Sequence, residues 1–161
     1  MTPASPAVVK TVDSYLYRLS IEDGFVDAVE EYALEPFELM ASSIERTFVD
    51  KIFALCDYYL AGPIPPCQSR HIYDLCKLSP VVSFDEELVA LFDTVRKQRK
   101  VAHGCRSAQD GVNIPSVLDV LIKEESYCDD YENITAPLLF EEVTYEEAVA
   151  HLMAIAEFVR K

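Results

Sequence analysis

The sequence predicts a mainly α-helical fold: one compact helical domain of about five to seven helices, with at most a small strand element near residues 37–41. Apolar residues recur at steps of three and four along most of the chain, which is the spacing of one helix face. Several of these segments begin at a serine, threonine or asparagine that can cap a helix. Half of the 161 residues are hydrophobic and only four are glycine, a globular composition. We expect a flexible arm at residues 1–7 and a single helical domain over residues 8–161.

The first forty residues predict two helices and a strand. Apolar residues over residues 8–19 follow helical spacing, and a shorter helical pattern follows over residues 25–34. Gly24 separates the two patterns and Pro36 ends the second one. Residues 37–41 alternate weakly and are the best strand candidate, although an isolated strand would be an edge that needs a partner.

The middle of the chain, residues 43–78, predicts two helices joined by the proline-rich connector GPIPP. Two capping-box spacings accompany the first helix, one from Ser42 and one from Thr47, and spacing alone leaves open which of them caps it. Ser69 is predicted to cap the second helix, Arg70–Leu78. This stretch also concentrates charged residues that an apolar helix pair does not need.

Three more helices are predicted in the second half of the chain. One covers residues 84–97, opens on a capping box from Ser83 and ends in the basic run RKQRK, which suits the helix dipole. Another follows Asn113, and the last begins at a capping box from Thr144. The acidic and aromatic segment 127–143 matches neither a helical nor a strand period and stays unassigned.

Charge and cysteine content narrow the classes of partner and compartment. The 28 acidic residues outnumber the 14 basic ones and give a formal charge of −14, which disfavours a general attraction to phosphate backbones or anionic membranes. The five cysteines include no CxxC pair, so we expect reduced thiols. No apolar run approaches the ~20 residues that cross a bilayer. These observations predict a soluble cytoplasmic protein that does not bind membranes.

The histidines suggest one catalytic alternative and no metal site. His71, His103 and His151 are far apart in the sequence and lack zinc-ligand spacing, so ordinary surface or half-buried histidines are expected. Arg96 and His103 are separated by six residues, which resembles the Arg-to-His signature of HEPN-type helical ribonucleases. That resemblance implies acid–base chemistry by His103 and phosphate binding by Arg96. The alternative is a basic helix end that compensates the helix dipole, followed by a loop histidine.

A longer pattern lies in the middle of the chain: RTFVDK at 46–51, AL at 54–55, DYY at 57–59, SRHIYDL at 69–75 and KL at 77–78. It resembles the C-terminal half of the AbiEii/AbiGii toxin family, which are nucleotidyltransferases of bacterial abortive-infection and type IV toxin–antitoxin systems. The resemblance implies a helical C-terminal half of a nucleotidyltransferase-fold toxin. It extends from about Tyr15 to the end of the chain and includes Ala108-Gln109, Tyr131 with Ile134-Thr135, and Leu139-Phe140-Glu141.

The resemblance implies that Lys51 contacts a nucleotide triphosphate and that Asp74 belongs to the last active-site motif. A lysine ammonium neutralises charge on transferring phosphoryl oxygens, and an acidic partner orients it. Arg70, four residues before Asp74, can pair with that carboxylate or reach a phosphate. Asp50 and Asp57 flank the lysine, and Asp57 is expected to support the phosphate site indirectly or to be structural. The alternative interpretation is a Lys51–Asp74–Arg70 ion cluster that only ties two helices together.

Catalysis in that family requires a Gly-Ser turn followed by an Asp-x-Asp or Asp-x-Glu pair, which holds two divalent ions. The adjacent pairs Asp129-Asp130 and Glu141-Glu142 do not have this pattern, and no Gly-Ser precedes them. The chain also begins where the family's catalytic sheet should already be finished. We therefore expect the C-terminal part of such a toxin, truncated or excised, which is inactive alone.

The resemblance also implies partners and cofactors. Mg²⁺ and a nucleoside triphosphate, with tRNA as acceptor, are expected only for the complete enzyme, and the missing N-terminal nucleotidyltransferase half is the first expected partner. The alternative class is a non-catalytic helical interaction module. Loss of the sheet would leave an apolar surface near residues 37–41 and the helix of Tyr15, which a partner or a second copy of the chain would cover.

Overall fold

The computed structural model of the chain describes residues 5–102 and 104–160. Internal packing divides the chain into two units, Met1–Ser43 and Ile44–Lys161, which are taken in turn. Helices form most of the described structure, and two short strands form the one sheet within it. These features confirm the mainly helical fold class with a small strand element, while the single domain over residues 8–161 stays a prediction.

The first unit consists of two paired strands and the two short helices between them. Strand β1 (Ala7–Val12) is antiparallel to β2 (Phe37–Ser42), which confirms the predicted strand. Helices α1 (Tyr15–Glu22) and α2 (Val26–Glu31) connect the strands. The predicted flexible arm overlaps β1 at Ala7, and its first four residues lie outside the described part of the chain.

The helix predicted over residues 8–19 is wrong in its first half, which is strand β1. Valine and threonine make up four of the six β1 residues, and their branched side chains favour an extended backbone. The whole strand pairs with β2, from Ala7 opposite Ser42 onward, and this pairing satisfies the backbone groups. Helix α1 begins only after Ser14, whose side chain accepts a hydrogen bond of 3.0 Å from the backbone N–H of Tyr17.

The described residues of the second unit form six α-helices. With α1 and α2, the described chain has eight α-helices, one more than the five to seven that the sequence predicts. The difference arises in the unassigned segment 127–143, which contains a single-turn helix followed by π-helical and 3₁₀ turns. Nowhere in residues 5–102 and 104–160 is a helix both long enough and apolar enough to cross a bilayer. The six helices are α3 (Ile44–Ala61), α4 (Arg70–Leu78), α5 (Glu86–Lys100), α6 (Ile114–Lys123), α7 (Cys128–Asp130) and α8 (Tyr145–Val159).

Helix α3 is the centre of the second unit. It packs against α4, α5 and α6, and both α4 and α6 pack against α8. The ring of Phe53 stacks on Phe92 of α5 with centroids 4.7 Å apart, and the buried Tyr127 hydroxyl donates to the Leu55 carbonyl at 2.8 Å. Most of the predicted apolar stripe of α3 is therefore core. The buried residues of this helix are Arg46, Phe48, Val49, Ile52, Phe53, Leu55 and Cys56.

The helix starts follow the capping signals only in part. Asn113 caps α6, and Thr144 forms a complete capping box on α8, as predicted. Helix α5 is capped by Asp85 instead of Ser83, since the Asp85 carboxylate accepts a hydrogen bond from the backbone of the third helical residue at 3.0 Å. Helix α3 begins before Thr47, which leaves the second of its two capping-box spacings inside the helix.

Ser69 is the N-cap residue of α4, as predicted, but its side chain makes no capping hydrogen bond. A residue distant in sequence binds the backbone just before this helix. The Asp130 carboxylate accepts hydrogen bonds from the backbone N–H groups of Cys67 and Ser69, at 2.7 and 2.8 Å. The Ser69 hydroxyl is buried and lies 2.7 Å from the hydroxyl of Thr135. The turn that starts α4 is thus held by the last residue of α7 and by the segment that follows it.

Candidate functional site

The predicted pair Lys51 and Asp74 lies at the contact of α3 with α4. Lys51 Nζ donates a hydrogen bond to Asp74 Oδ2 at 2.6 Å. The lysine side chain is 27% exposed and the aspartate side chain 35% exposed, so that both can also meet solvent. Their neighbours in sequence, Ile52 and Leu75, are fully buried and fix the two helices against each other. Packing of the helices therefore brings together two residues that are 23 positions apart.

His71 is the third member of this cluster, although its sequence context predicts only an ordinary surface or half-buried histidine. Its Nδ1 lies 3.3 Å from Lys51 Nζ and 4.0 Å from Asp74 Oδ2. The imidazole is buried, and the ring of Tyr58 stacks on it at 5.8 Å with an interplanar angle of 13°. The spacing of three between His71 and Asp74 on a helix was the available signal, because such residues share one helix face.

Burial keeps the His71 imidazole neutral. Loss of solvation lowers its pKa most, the charge of Lys51 lowers it further, and the attraction of Asp74 offsets only part of this, so that the pKa falls to about 4. A neutral imidazole has one nitrogen with a free lone pair. At neutral pH the cluster therefore consists of one cation, one anion and one neutral acceptor.

Arg70 and Asp57 do not join this cluster. Arg70 is exposed and makes no ion pair within the described residues, so the predicted Arg70–Asp74 pairing is wrong. The Asp74 carboxylate is neutralised instead by Lys51 from the neighbouring helix. The ion cluster considered as the alternative therefore contains Lys51 and Asp74 but has His71 in the place of Arg70.

Asp57 joins α3 to α5 and to the loop after α5. Its carboxylate accepts hydrogen bonds from the backbone N–H and the hydroxyl of Ser107, both at 2.7 Å, and from the Arg99 guanidinium at 3.0 Å. The same guanidinium donates to Asp50 at 2.9 Å, and Arg46 donates to Asp50 at 2.7 Å. These contacts tie α3 to α5 and to the loop that follows it. A role of Asp57 toward a bound phosphate stays a prediction.

The carboxylates do not form a divalent-metal site within the described residues. No group of three or more histidine, cysteine, aspartate or glutamate side chains is placed to hold an ion there. Asp85–Glu87 and Asp130–Glu132 have Asp-x-Glu spacing without a Gly-Ser turn, but Asp85 caps α5 and Asp130 binds the backbone just before α4. Partial burial raises the pKa of Asp130, yet hydrogen bonds from the backbone of Ser69 and neighbouring residues lower it overall. This carboxylate is engaged by its own fold, so the described residues do not fit the family's paired ions.

Of the two residues predicted for the ribonuclease alternative, the structure describes only Arg96. Arg96 donates to the backbone carbonyl of Val112 at 2.5 Å and lines a cavity of about 550 Å³ between α5, α6 and the end of α8. His103 lies outside the described residues, so the pairing of Arg96 with His103 stays a prediction.

Comparison with known proteins finds one family. The sequence model of the family described as "Nucleotidyl transferase AbiEii toxin, Type IV TA system" matches residues 2–153, a range that contains the whole Lys51, His71 and Asp74 cluster. No curated protein and no solved structure matches the chain.

Proposed function

We propose, from the premise that this chain belongs to the AbiEii nucleotidyltransferase toxin family of type IV toxin–antitoxin systems, that its second unit supplies the nucleotide-phosphate contact of a nucleotidyl transfer site. Lys51 is the proposed contact and Asp74 its orienting partner. The observation that carries this proposal is the 2.6 Å bond from Lys51 to Asp74, with the lysine still partly exposed. An ammonium held in this way neutralises charge that develops on transferring phosphoryl oxygens.

Local cations must carry this binding, because the chain as a whole repels anions. Its formal charge of −14 disfavours a triphosphate at long range. Lys51 offers an ammonium with three donors, of which Asp74 uses one. Arg70 is exposed and lies one turn before Asp74, which is paired with Lys51 instead. We therefore assign Arg70 as a second phosphate contact. Binding through so few charges should be weak and should fall with added salt.

We further propose that this chain does not transfer nucleotides by itself. The complete reaction would use Mg²⁺ with a nucleoside triphosphate as donor and tRNA as acceptor. The described residues do not fit the paired ions, since none of their carboxylates form a cluster that could hold an ion and both Asp-x-Glu aspartates already accept backbone hydrogen bonds. The ion-binding carboxylates would come from a nucleotidyltransferase half, which is the first proposed partner. The antitoxin is the partner that the family implies.

Titration of the whole chain with inorganic triphosphate tests the phosphate contact. We expect measurable binding in the wild type and a loss of about tenfold or more in Lys51→Ala, because a hydrogen bond to a charged group is removed. Lys77→Ala is the matched control: Lys77 is on α4, the helix of Asp74, and its surface pair with Glu141 spans 2.7 Å. Equal weakening in both variants would mean that binding is diffuse, and no binding by the wild type would reject the proposed contact.

A transfer assay tests the second part of the proposal. The chain is incubated with Mg²⁺, labelled nucleoside triphosphates and tRNA. We expect no labelled tRNA above the level of a Lys51→Ala control. Robust labelling that disappears in Lys51→Ala would show that the chain is catalytic alone and would overturn this part while supporting the assignment of Lys51.

The second candidate function is a non-catalytic interaction module, and the exposed apolar residues of the first unit favour it. Tyr15, Phe25 and Tyr32 expose 75%, 64% and 66% of their surface, and Phe37 and Met40 of strand β2 are also exposed. A two-stranded sheet also has two open edges that another chain can extend. A nucleotidyltransferase half or a second copy of the chain would cover this surface. Light scattering tests self-association, and a clean monomer at high concentration would argue against the second copy.

A further inference from the structure

We propose that His71 is the positioning residue of Lys51: its Nδ1 lone pair holds one N–H of the ammonium while Asp74 holds another, so that the third N–H is directed at a phosphoryl oxygen. This inference rests on the proposed phosphate contact of Lys51 and deepens it. The geometry that carries it is the placement of two acceptors, Nδ1 at 3.3 Å and Oδ2 at 2.6 Å, around one nitrogen.

The chemistry of the two groups assigns the direction of the hydrogen bond. A protonated lysine has three donors and no acceptor, so that the contact at 3.3 Å requires a lone pair on His71 Nδ1. The ring proton then resides on Nε2. Burial and the positive charges of Lys51 and Arg70 oppose protonation of the ring and are only partly offset by Asp74, which keeps the pKa of His71 near 4. The lone pair is therefore available throughout the physiological pH range.

Packing holds the imidazole where this contact needs it. The His71 side chain is 10% exposed, and its ring stacks on Tyr58, which lies seven residues after Lys51 on the same helix and hence on the same face. His71 itself lies in the first turn of α4, next to the fully buried Ile72. The acceptor is thus fixed by both helices, α3 through the stacked tyrosine and α4 through its backbone.

Two fixed acceptors matter because the lysine side chain is flexible. Its four-carbon stem has many rotamers, and ordering them costs conformational entropy when a ligand binds. A single carboxylate leaves the ammonium able to swing around one contact. The second acceptor on His71 reduces this freedom before the ligand arrives, which is preorganisation and favours affinity.

A pair of substitutions separates the lone pair of His71 from its ring. His71→Phe keeps an aromatic ring for Tyr58 to stack on but has no acceptor, whereas His71→Asn places an amide oxygen close to the position of Nδ1 and loses the ring. We expect His71→Phe to weaken binding of inorganic triphosphate by about tenfold, and His71→Asn to stay closer to wild type. His151→Phe, at a half-buried histidine of α8, is the matched control and should bind as wild type does.

A spectroscopic measurement tests the same contact without any ligand. Long-range ¹H–¹⁵N correlation of the wild-type chain at neutral pH should show an unprotonated Nδ1 and a protonated Nε2 in His71. In Lys51→Ala the Nδ1 resonance should shift, because its donor is gone. A protonated Nδ1, or a resonance that ignores Lys51→Ala, would overturn the inference whatever the variants do.

The outcomes also distinguish this inference from the function on which it rests. Binding that is lost in Lys51→Ala but unchanged in His71→Phe would overturn the positioning role and leave the phosphate contact standing. Absence of binding in the wild type would overturn both. Weaker binding in His71→Phe that His71→Asn restores, together with the expected tautomer, would support both.

Discussion

The two units of this chain differ in how far they bury their apolar side chains. In the first unit Val29 is the one buried hydrophobic residue among those described, while Tyr15 and Phe25 are mostly exposed. In the second unit a continuous cluster of buried side chains, drawn from α3, α4, α5, α6 and α8 and the segments between them, forms one core. The second unit therefore buries a large apolar core, whereas the described part of the first unit leaves most of its large apolar side chains exposed.

Element length and polar contacts explain much of this difference. Helices α1 and α2 have eight and six residues, and helices of that length are unstable without packing. A two-stranded sheet is also marginal by itself. The second unit has helices of 15 and 18 residues, with buried polar groups that link distant segments, such as Ser107 to Asp57. A chain can thus combine a stable unit with one whose apolar surface is suited to a partner.

The largest test of this comparison removes core volume. Phe53→Ala deletes a fully buried ring that stacks on Phe92, and we expect the free energy of unfolding to fall by about 3–5 kcal/mol. Phe25→Ala in the first unit should change it by no more than about 0.5 kcal/mol, since that ring is 64% exposed. Urea unfolding of both variants measures the two values. Similar losses would mean that the units do not differ in burial as described.

The second test breaks the polar network of the second unit. Asp57→Asn removes the charge that Arg99 pairs with and places an amide beside the Ser107 donors, so we expect a loss of about 2–3 kcal/mol. Asp119→Asn is the matched control, because Asp119 pairs with Arg160 at 2.6 Å where both side chains are half exposed. Thermal unfolding should show a clearly smaller shift for Asp119→Asn. Equal shifts would contradict a structural role of Asp57.

The third test measures how stability depends on pH. The three histidines of the chain all belong to the second unit. The pKa of His71 is about 4 in the fold and 6.5 in its absence, so the unfolded chain binds more protons between these values. Stability from this group is therefore full above pH 6.5 and is lost as the pH falls toward 4, by on the order of 3 kcal/mol. His71→Phe should remove this part of the pH dependence. A wild-type slope that survives His71→Phe would show that other groups cause it.

The smallest expected effect on stability belongs to the surface of the first unit. Tyr15→Ser combined with Phe25→Ser should leave the free energy of unfolding nearly unchanged, since both side chains are exposed. The same variant should bind less of a hydrophobic dye and should associate less at high concentration, because apolar surface is removed. Sedimentation velocity and dye fluorescence measure these changes. A large loss of stability would indicate that these side chains are packed.

Local signals in the sequence predicted the helices of the second unit well and the first unit poorly. Arg70–Leu78 begins and ends where predicted, and Asn113 and Thr144 cap their helices. The helix predicted at residues 8–12 is wrong. Their apolar residues have helical spacing, but their branched side chains favour a strand, and pairing with β2 stabilises the strand. Two contacts at helix starts were missed for different reasons: Asp130 reaches the turn before α4 from more than sixty residues away, and the α5 cap Asp85 lies two residues after the serine that was preferred.

For the candidate site, the motif by itself predicted Lys51, Asp74 and the family, because these depend on residue type and spacing. The family comparison confirmed the family, and the roles of the two residues stay predictions. Only the tertiary structure decided which groups meet. Packing of α3 against α4 put His71 beside Lys51, left Arg70 in solvent and gave Asp57 to Arg99 and Ser107. A side chain's partner depends on its distance and burial in the folded chain, and neither quantity is encoded in the spacing of residues along one helix.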